Sequence, residues 1–105
     1  MKLKNYEIMN ADTVIGSLFD QPITGALKFK LYKLKQQLEQ LAMPIRKTLE
    51  ELDQEKDTQE WIEIEQIEQE VEVGEPLTEE ELAPLTMTLS QVNWMMPFVE
   101  NKEAE

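Results

Sequence analysis

Leu27, Leu31, Leu34, Leu38, Leu41, Ile45, Thr48 and Leu52 recur at alternating steps of four and three residues. That period puts them on one stripe of a long helix, and the stripe needs an apolar partner, either a second helix of the same chain or another copy. The spacing predicts a helix over about residues 24–55, some ~48 Å long at ~1.5 Å per residue, with Thr24 as its N-cap. Pro44 falls inside it, removing one amide donor and crowding the Gln40 carbonyl, so a kink is expected there.

Upstream, Ile8, Ala11, Ile15 and Leu18 form one face of a helix over about 5–19, capped by Asn5 and stopped at Asp20-Gln21-Pro22. Downstream, Asp57-Thr58-Gln59-Glu60 resembles a capping box that restarts the helix through Ile64 and Ile67. The period then shortens to two, predicting a strand over about 69–73 that Gly74-Glu75-Pro76 ends. Thr78 and Glu81 form a second box before a short helix disturbed by Pro84. Residues 85–89, Leu-Thr-Met-Thr-Leu, alternate again as a strand to pair with Val71–Val73. Thr88 and Gln91 form a third box, opening a final helix over about 89–99, and 101–105 should fray. The fold class expected is mostly α (α+β): a helical hairpin built on the long helix, plus a small C-terminal part with two short strands and a final helix. The expected organisation is one domain over 1–100, with a hairpin over 1–57 and an acidic α/β part over 58–100.

A chain of 105 residues with 41% apolar content can build one modest core. It holds neither cysteine nor histidine. Disulfides, thiolate chemistry and the usual general base and metal ligand are therefore excluded. Without a Gly-rich phosphate loop, and with Ser17 and Ser90 reading as helix residues, no catalytic constellation emerges and no cofactor is expected. Asp53, Glu55 and Asp57 have the spacing that opens a calcium loop. The same loop needs glycine where Thr58 stands and glutamate where Ile64 stands, so no metal is expected either. No apolar run approaches the ~20 residues of a membrane span, and the start lacks the apolar stretch of a secretory signal. A cytoplasmic protein is expected.

The net charge of −12 is unevenly spread. Residues 1–47 carry +4 and residues 48–105 carry −16. Such a balance repels nucleic acid and anionic membranes at long range. Lys28, Lys30, Lys33 and Lys35 near the start of the long helix, and Glu50, Glu51 and Asp53 near its end, oppose the helix dipole. They either serve solubility or pair with another element or another protein. Phe29 and Tyr32 among the lysines make base stacking conceivable, but the acidic whole argues against direct nucleic-acid binding.

Residues 59–81 concentrate the anions, with ten glutamates and no lysine or arginine. In a strand, Glu68, Glu70 and Glu72 share one face at ~6.8 Å intervals. Such a row either guards an edge against aggregation or imitates phosphates to occupy a basic groove. The excess of charge over the ~2–8 that solubility of a small domain needs favours the second. Met95 and Phe98 read as core, and Trp61, hedged by glutamates, as an interface rim.

The opening KLKNYEI, the helix LKFKLYKLKQQLEQL, the EVEV segment and the closing MPFVE resemble the small proteins of unassigned function encoded by tailed bacteriophages of Gram-positive hosts. The resemblance implies a viral context, where short acidic proteins act as virion parts or as inhibitors of host machinery. The leading expectation is non-enzymatic protein binding: an inhibitor or modulator, active in the host cytoplasm, whose acidic half covers a basic, nucleic-acid-binding surface of a host or defence protein. Glu63, Glu65, Glu68, Glu70 and Glu72 would make the contact, with Trp61 as an apolar anchor. The alternative is a virion assembly protein that self-associates through Leu27, Leu31, Leu34, Leu38, Leu41 and Ile45.

Overall fold

The computed structural model describes residues 1–23 and 25–100. The Thr24 cap and the fraying of 101–105 lie outside the described residues. In chain order the elements are β1 (Lys2–Lys4), α1 (Asn5–Leu18), α2 (Gly25–Glu50), α3 (Thr58–Gln66), β2 (Glu68–Glu70), α4 (Glu79–Leu82), α5 (Leu89–Met95) and a 3-10 turn (Met96–Phe98). The protein is mostly α, with one two-stranded antiparallel sheet.

α1 and α2 form the expected hairpin. Ile8, Ala11, Val14, Ile15 and Leu18 of α1 are buried with Leu27, Leu31, Leu34, Leu38, Ala42, Ile45 and Leu49 of α2 in a single core cluster. Full burial is worth about 1.5–3 kcal/mol for each large side chain, so this stripe dominates the energetics. The stripe departs from the sequence pattern after Leu38. It advances four residues to Ala42 rather than three to Leu41, leaving Leu41 half-buried and Thr48 exposed. A strict seven-residue repeat stays on one line only if the helix supercoils; a helix packed within its own chain keeps 3.6 residues per turn and drifts by about 20° per heptad. α2 ends at Glu50, short of residue 55, so Leu52 lies in the following turn. It runs through Pro44 as one helix. The seam proposed for self-association is thus occupied by the chain's own elements. Leu27, Leu31, Leu34, Leu38 and Ile45 are buried, and no other copy can reach them without opening the core.

A charged contact locks the hairpin. Asp12, 1% exposed, faces α2 from α1. Its Oδ1 pairs with Lys35 Nζ at 2.8 Å and its Oδ2 with Arg46 Nη1 at 2.7 Å. Arg46 Nη2 also donates to the Met9 carbonyl and to Thr13 Oγ1. Both carboxylate oxygens are therefore satisfied, as burial of a charge requires.

Asn5 is not an N-cap. It is the first residue of α1, with Lys4 before it in extended conformation, and its side chain is buried. The Asn5 backbone N–H donates to the Ile67 carbonyl at 2.8 Å, and its Nδ2 donates to the Ile64 carbonyl at 2.8 Å. Gln69 Nε2 donates to Asn5 Oδ1 at 2.8 Å. One buried amide thus satisfies the C-terminal end of α3 and fixes the start of β2.

The strand pairing also differs from expectation. β2 covers 68–70 and pairs antiparallel with β1, Lys2 opposite Glu70, Leu3 opposite Gln69 and Lys4 opposite Glu68. The second strand therefore comes from the N-terminus, and the two parts of the chain interleave. Residues 85–89 form no strand. Their alternation does report burial, since Leu85 and Met87 are half-buried and Thr86 and Thr88 exposed. Glutamine amides replace the strand partner. Gln21 Nε2 donates to the Thr86 carbonyl and Thr86 N–H to Gln21 Oε1, while Gln37 makes the same two bonds with Glu72.

The boxes at Thr78/Glu81 and Thr88/Gln91 both form and start α4 and α5. α3 starts after Asp57, but the Asp57 carboxylate accepts from the Asp53 N–H instead of capping it. Pro97 ends the last helix early, as the 3-10 turn.

Replacing Asp12 by alanine removes the shared partner of two cations. Asp12→Ala should lower the unfolding free energy by about 2 kcal/mol in urea denaturation, and Arg46→Ala, whose side chain is 39% exposed, by less. Wild-type stability in Asp12→Ala would show that the contact is decorative.

Candidate protein-binding face

α3 and β2 carry the six residues singled out in the acidic run. α3 turns Trp61 and Ile64 inward, where both pack against the core cluster, and Glu65 is half-buried beside them. Glu60, Ile62 and Glu63 face outward. The helix forms here because Trp61 and Ile64, three residues apart, fall on one inward side, and it stops where Ile67 turns extended and its carbonyl accepts from the Asn5 N–H. Trp61 is therefore not the apolar feature of the surface. Ile62 and Ile67, 48% and 52% exposed, are. Sequence periodicity had placed Ile67 on the helix; the break at Gln66 exposes it.

Glu68 and Glu70 share the outer face of β2, as alternation predicts, while Gln69 points toward Asn5. Glu72 lies past the strand, its carboxylate exposed and its backbone held by Gln37. The row is less uniformly anionic than the sequence implies. Lys4 and Lys2 stand opposite Glu68 and Glu70 across the sheet, and Glu70 Oε1 takes the N-terminal ammonium at 3.1 Å. Cross-strand pairs of opposite charge are favourable by roughly 0.2–1 kcal/mol. Among the described residues, no ion pair reaches Glu63, Glu65, Glu68 or Glu72.

Three of the six cations of α2 are directed elsewhere. Lys35 and Arg46 hold Asp12. Lys30 holds Glu81 Oε1 at 2.9 Å and approaches the Pro76 carbonyl, anchoring the segment before α4 to the hairpin. Of the two readings of the lysine cluster, pairing with another element is the one realised at Lys30 and Lys35. Lys33 instead lies over the Phe29 ring, 5.7 Å from its centroid. Asp53, from the discarded calcium pattern, spends Oδ1 on the N–H groups of Glu55 and Lys56 to shape the turn after α2.

Comparison with protein-family models, curated proteins and solved structures finds no match to this chain.

The Lys30 hydrogen bond holds the Glu81 carboxyl below its usual 4.5, and the same bond raises Lys30 above its usual 10.5. A carboxyl depressed on folding stabilises above its unfolded pKa and loses that contribution as pH falls through the folded value; a raised lysine stabilises below its unfolded pKa and loses it at high pH. The stability difference between wild type and Glu81→Gln should therefore be constant near neutral pH, shrink below pH 4.5 and shrink again above 10.5. Denaturation across pH reads this, and a difference that persists unchanged into strong acid contradicts the pair.

Proposed function

We propose that this chain is a phage-encoded, non-enzymatic protein-binding module. It inhibits or modulates a host or anti-phage defence protein in the host cytoplasm by covering a basic, nucleic-acid-binding surface. The observation that carries the reading is the direction of the charges: Lys30, Lys35 and Arg46 turn to Glu81 and Asp12, while Glu60, Glu63, Glu68 and Glu72 face solvent with no ion pair among the described residues. Ile62 and Ile67 add the exposed apolar contact that a purely ionic surface lacks. The absence of His and Cys supports the non-enzymatic part, and the resemblance to phage proteins supports the viral one. Glu63, Glu65, Glu68, Glu70 and Glu72 remain the contact residues of this reading, with Ile62 and Ile67 taking the anchoring role from Trp61. Burial of the leucine seam within the chain weighs against virion assembly through that seam.

The protein, immobilised and exposed to host lysate, should retain a basic protein at low salt, release it at high salt and yield it to heparin as a competing polyanion. Replacing the five contact glutamates by glutamine should reduce retention by about ten-fold. Capture indifferent to salt and to these substitutions overturns the reading.

A further inference from the structure

A second surface lies away from the acidic ribbon. α4, α5, the segment between them and the 3-10 turn line an open hollow of about 340 Å³ whose walls include Leu82, Leu85, Met87, Val92, Met95 and Met96. A shallower hollow adjoins it, sharing Val92 and Met96 and extending past Leu89. Leu89 at the start of α5 is 88% exposed and Met96 in the 3-10 turn 56% exposed, so two large apolar side chains stand uncovered here, with Ser90 and Asn93 beside them. We propose that this groove docks a cationic amphipathic helix of a partner protein.

Three observations define that occupant. The walls are flexible and sulfur-rich, with Met87, Met95 and Met96 together, and methionine adapts its shape to varied apolar side chains. The segment that forms the groove carries charge of one sign. Residues 74–100 contain five glutamates and no lysine or arginine, and Glu79 itself lines the hollow. Lys30, which reaches this part of the chain from α2, is bound to Glu81. An occupant with lysine or arginine beside its apolar stripe meets complementary charge, whereas an acidic one is repelled. Finally, Leu82, Val92 and Met95 stand on α4 and α5, whose N-termini are closed by their own capping boxes, and the segment between them forms no strand. They offer side chains rather than a strand edge, which suits a helix laid in a groove. This site does not depend on the acidic face of α3 and β2.

The probe is a synthetic Leu/Lys amphipathic helix of about five turns, titrated by calorimetry into the intact protein at physiological salt. It should bind, and Leu89→Ser/Met96→Ser should weaken it about ten-fold. These two side chains are exposed, so far-UV circular dichroism should be unchanged. In wild type, the methyl resonances of Leu82, Met87, Val92 and Met95 should shift on titration. A Leu/Glu helix of the same pattern should not bind. Glu63→Gln/Glu68→Gln/Glu70→Gln should change the affinity less than about two-fold, because exposed charges beyond ~8 Å are screened; failure of the acidic-face reading would therefore leave this result standing. Equal affinity in Leu89→Ser/Met96→Ser, methyl shifts confined to other residues, or equal binding of the Leu/Glu helix would each overturn the proposal. So would a concentration-dependent dimer that Leu89→Ser/Met96→Ser dissolves, since a second copy would then fill the groove.

Discussion

The buried carboxylate of Asp12 organises the charge of the whole molecule. It sits where α1 crosses α2 and draws Lys35 and Arg46, eleven positions apart on α2, to one point. An unpaired carboxylate there would be strongly destabilising, so its two partners are constrained to remain. Two of the eight cations of residues 1–47 are thereby committed to the hairpin, and Lys30 is committed to Glu81. The C-terminal half, which has almost no cations of its own, keeps its anions exposed. Ion pairs that stabilise the fold and the acidity of its surface are two consequences of one arrangement.

The helical part of the fold was legible because it rests on local periodicity. The stripes of α1 and α2, and the capping boxes at Thr78 and Thr88, are visible in spacing and residue type, and each forms. The drift from Leu41 to Ala42 was not legible, because a heptad and a straight 3.6-residue helix differ by little over two turns. Pairing partners were also hidden. Alternation shows which side of a strand is buried but not what lies beside its backbone. Lys2–Lys4 is too short to announce itself as a strand, and the glutamines that hold residues 72 and 86 carry no periodic signal. Asn5 was read as a local cap from its residue type, yet its amide serves α3 and β2, some sixty residues away.

The candidate site shows the same division. The exposure of Glu63, Glu68, Glu70 and Glu72 follows from pattern, while their neighbours do not. Lys2, Lys4 and the N-terminal ammonium temper one part of the row because a distant strand brings them there. Trp61 is drawn inward by the core, and Ile62 and Ile67 take its place at the surface. The remaining anionic residues are joined by two exposed isoleucines. The Met-rich groove between α4 and α5 is a separate apolar surface of the same acidic half.

With three of its cations held by buried or half-buried carboxylates and a net charge of −12, the folded surface repels itself, and screening relieves that repulsion more than it weakens the buried contacts of Asp12. The unfolding free energy measured in urea should therefore rise as sodium chloride is increased from about 10 mM to about 150 mM. A free energy that falls over that range would mean that exposed ion pairs dominate, and would contradict the charge layout on which the functional reading rests.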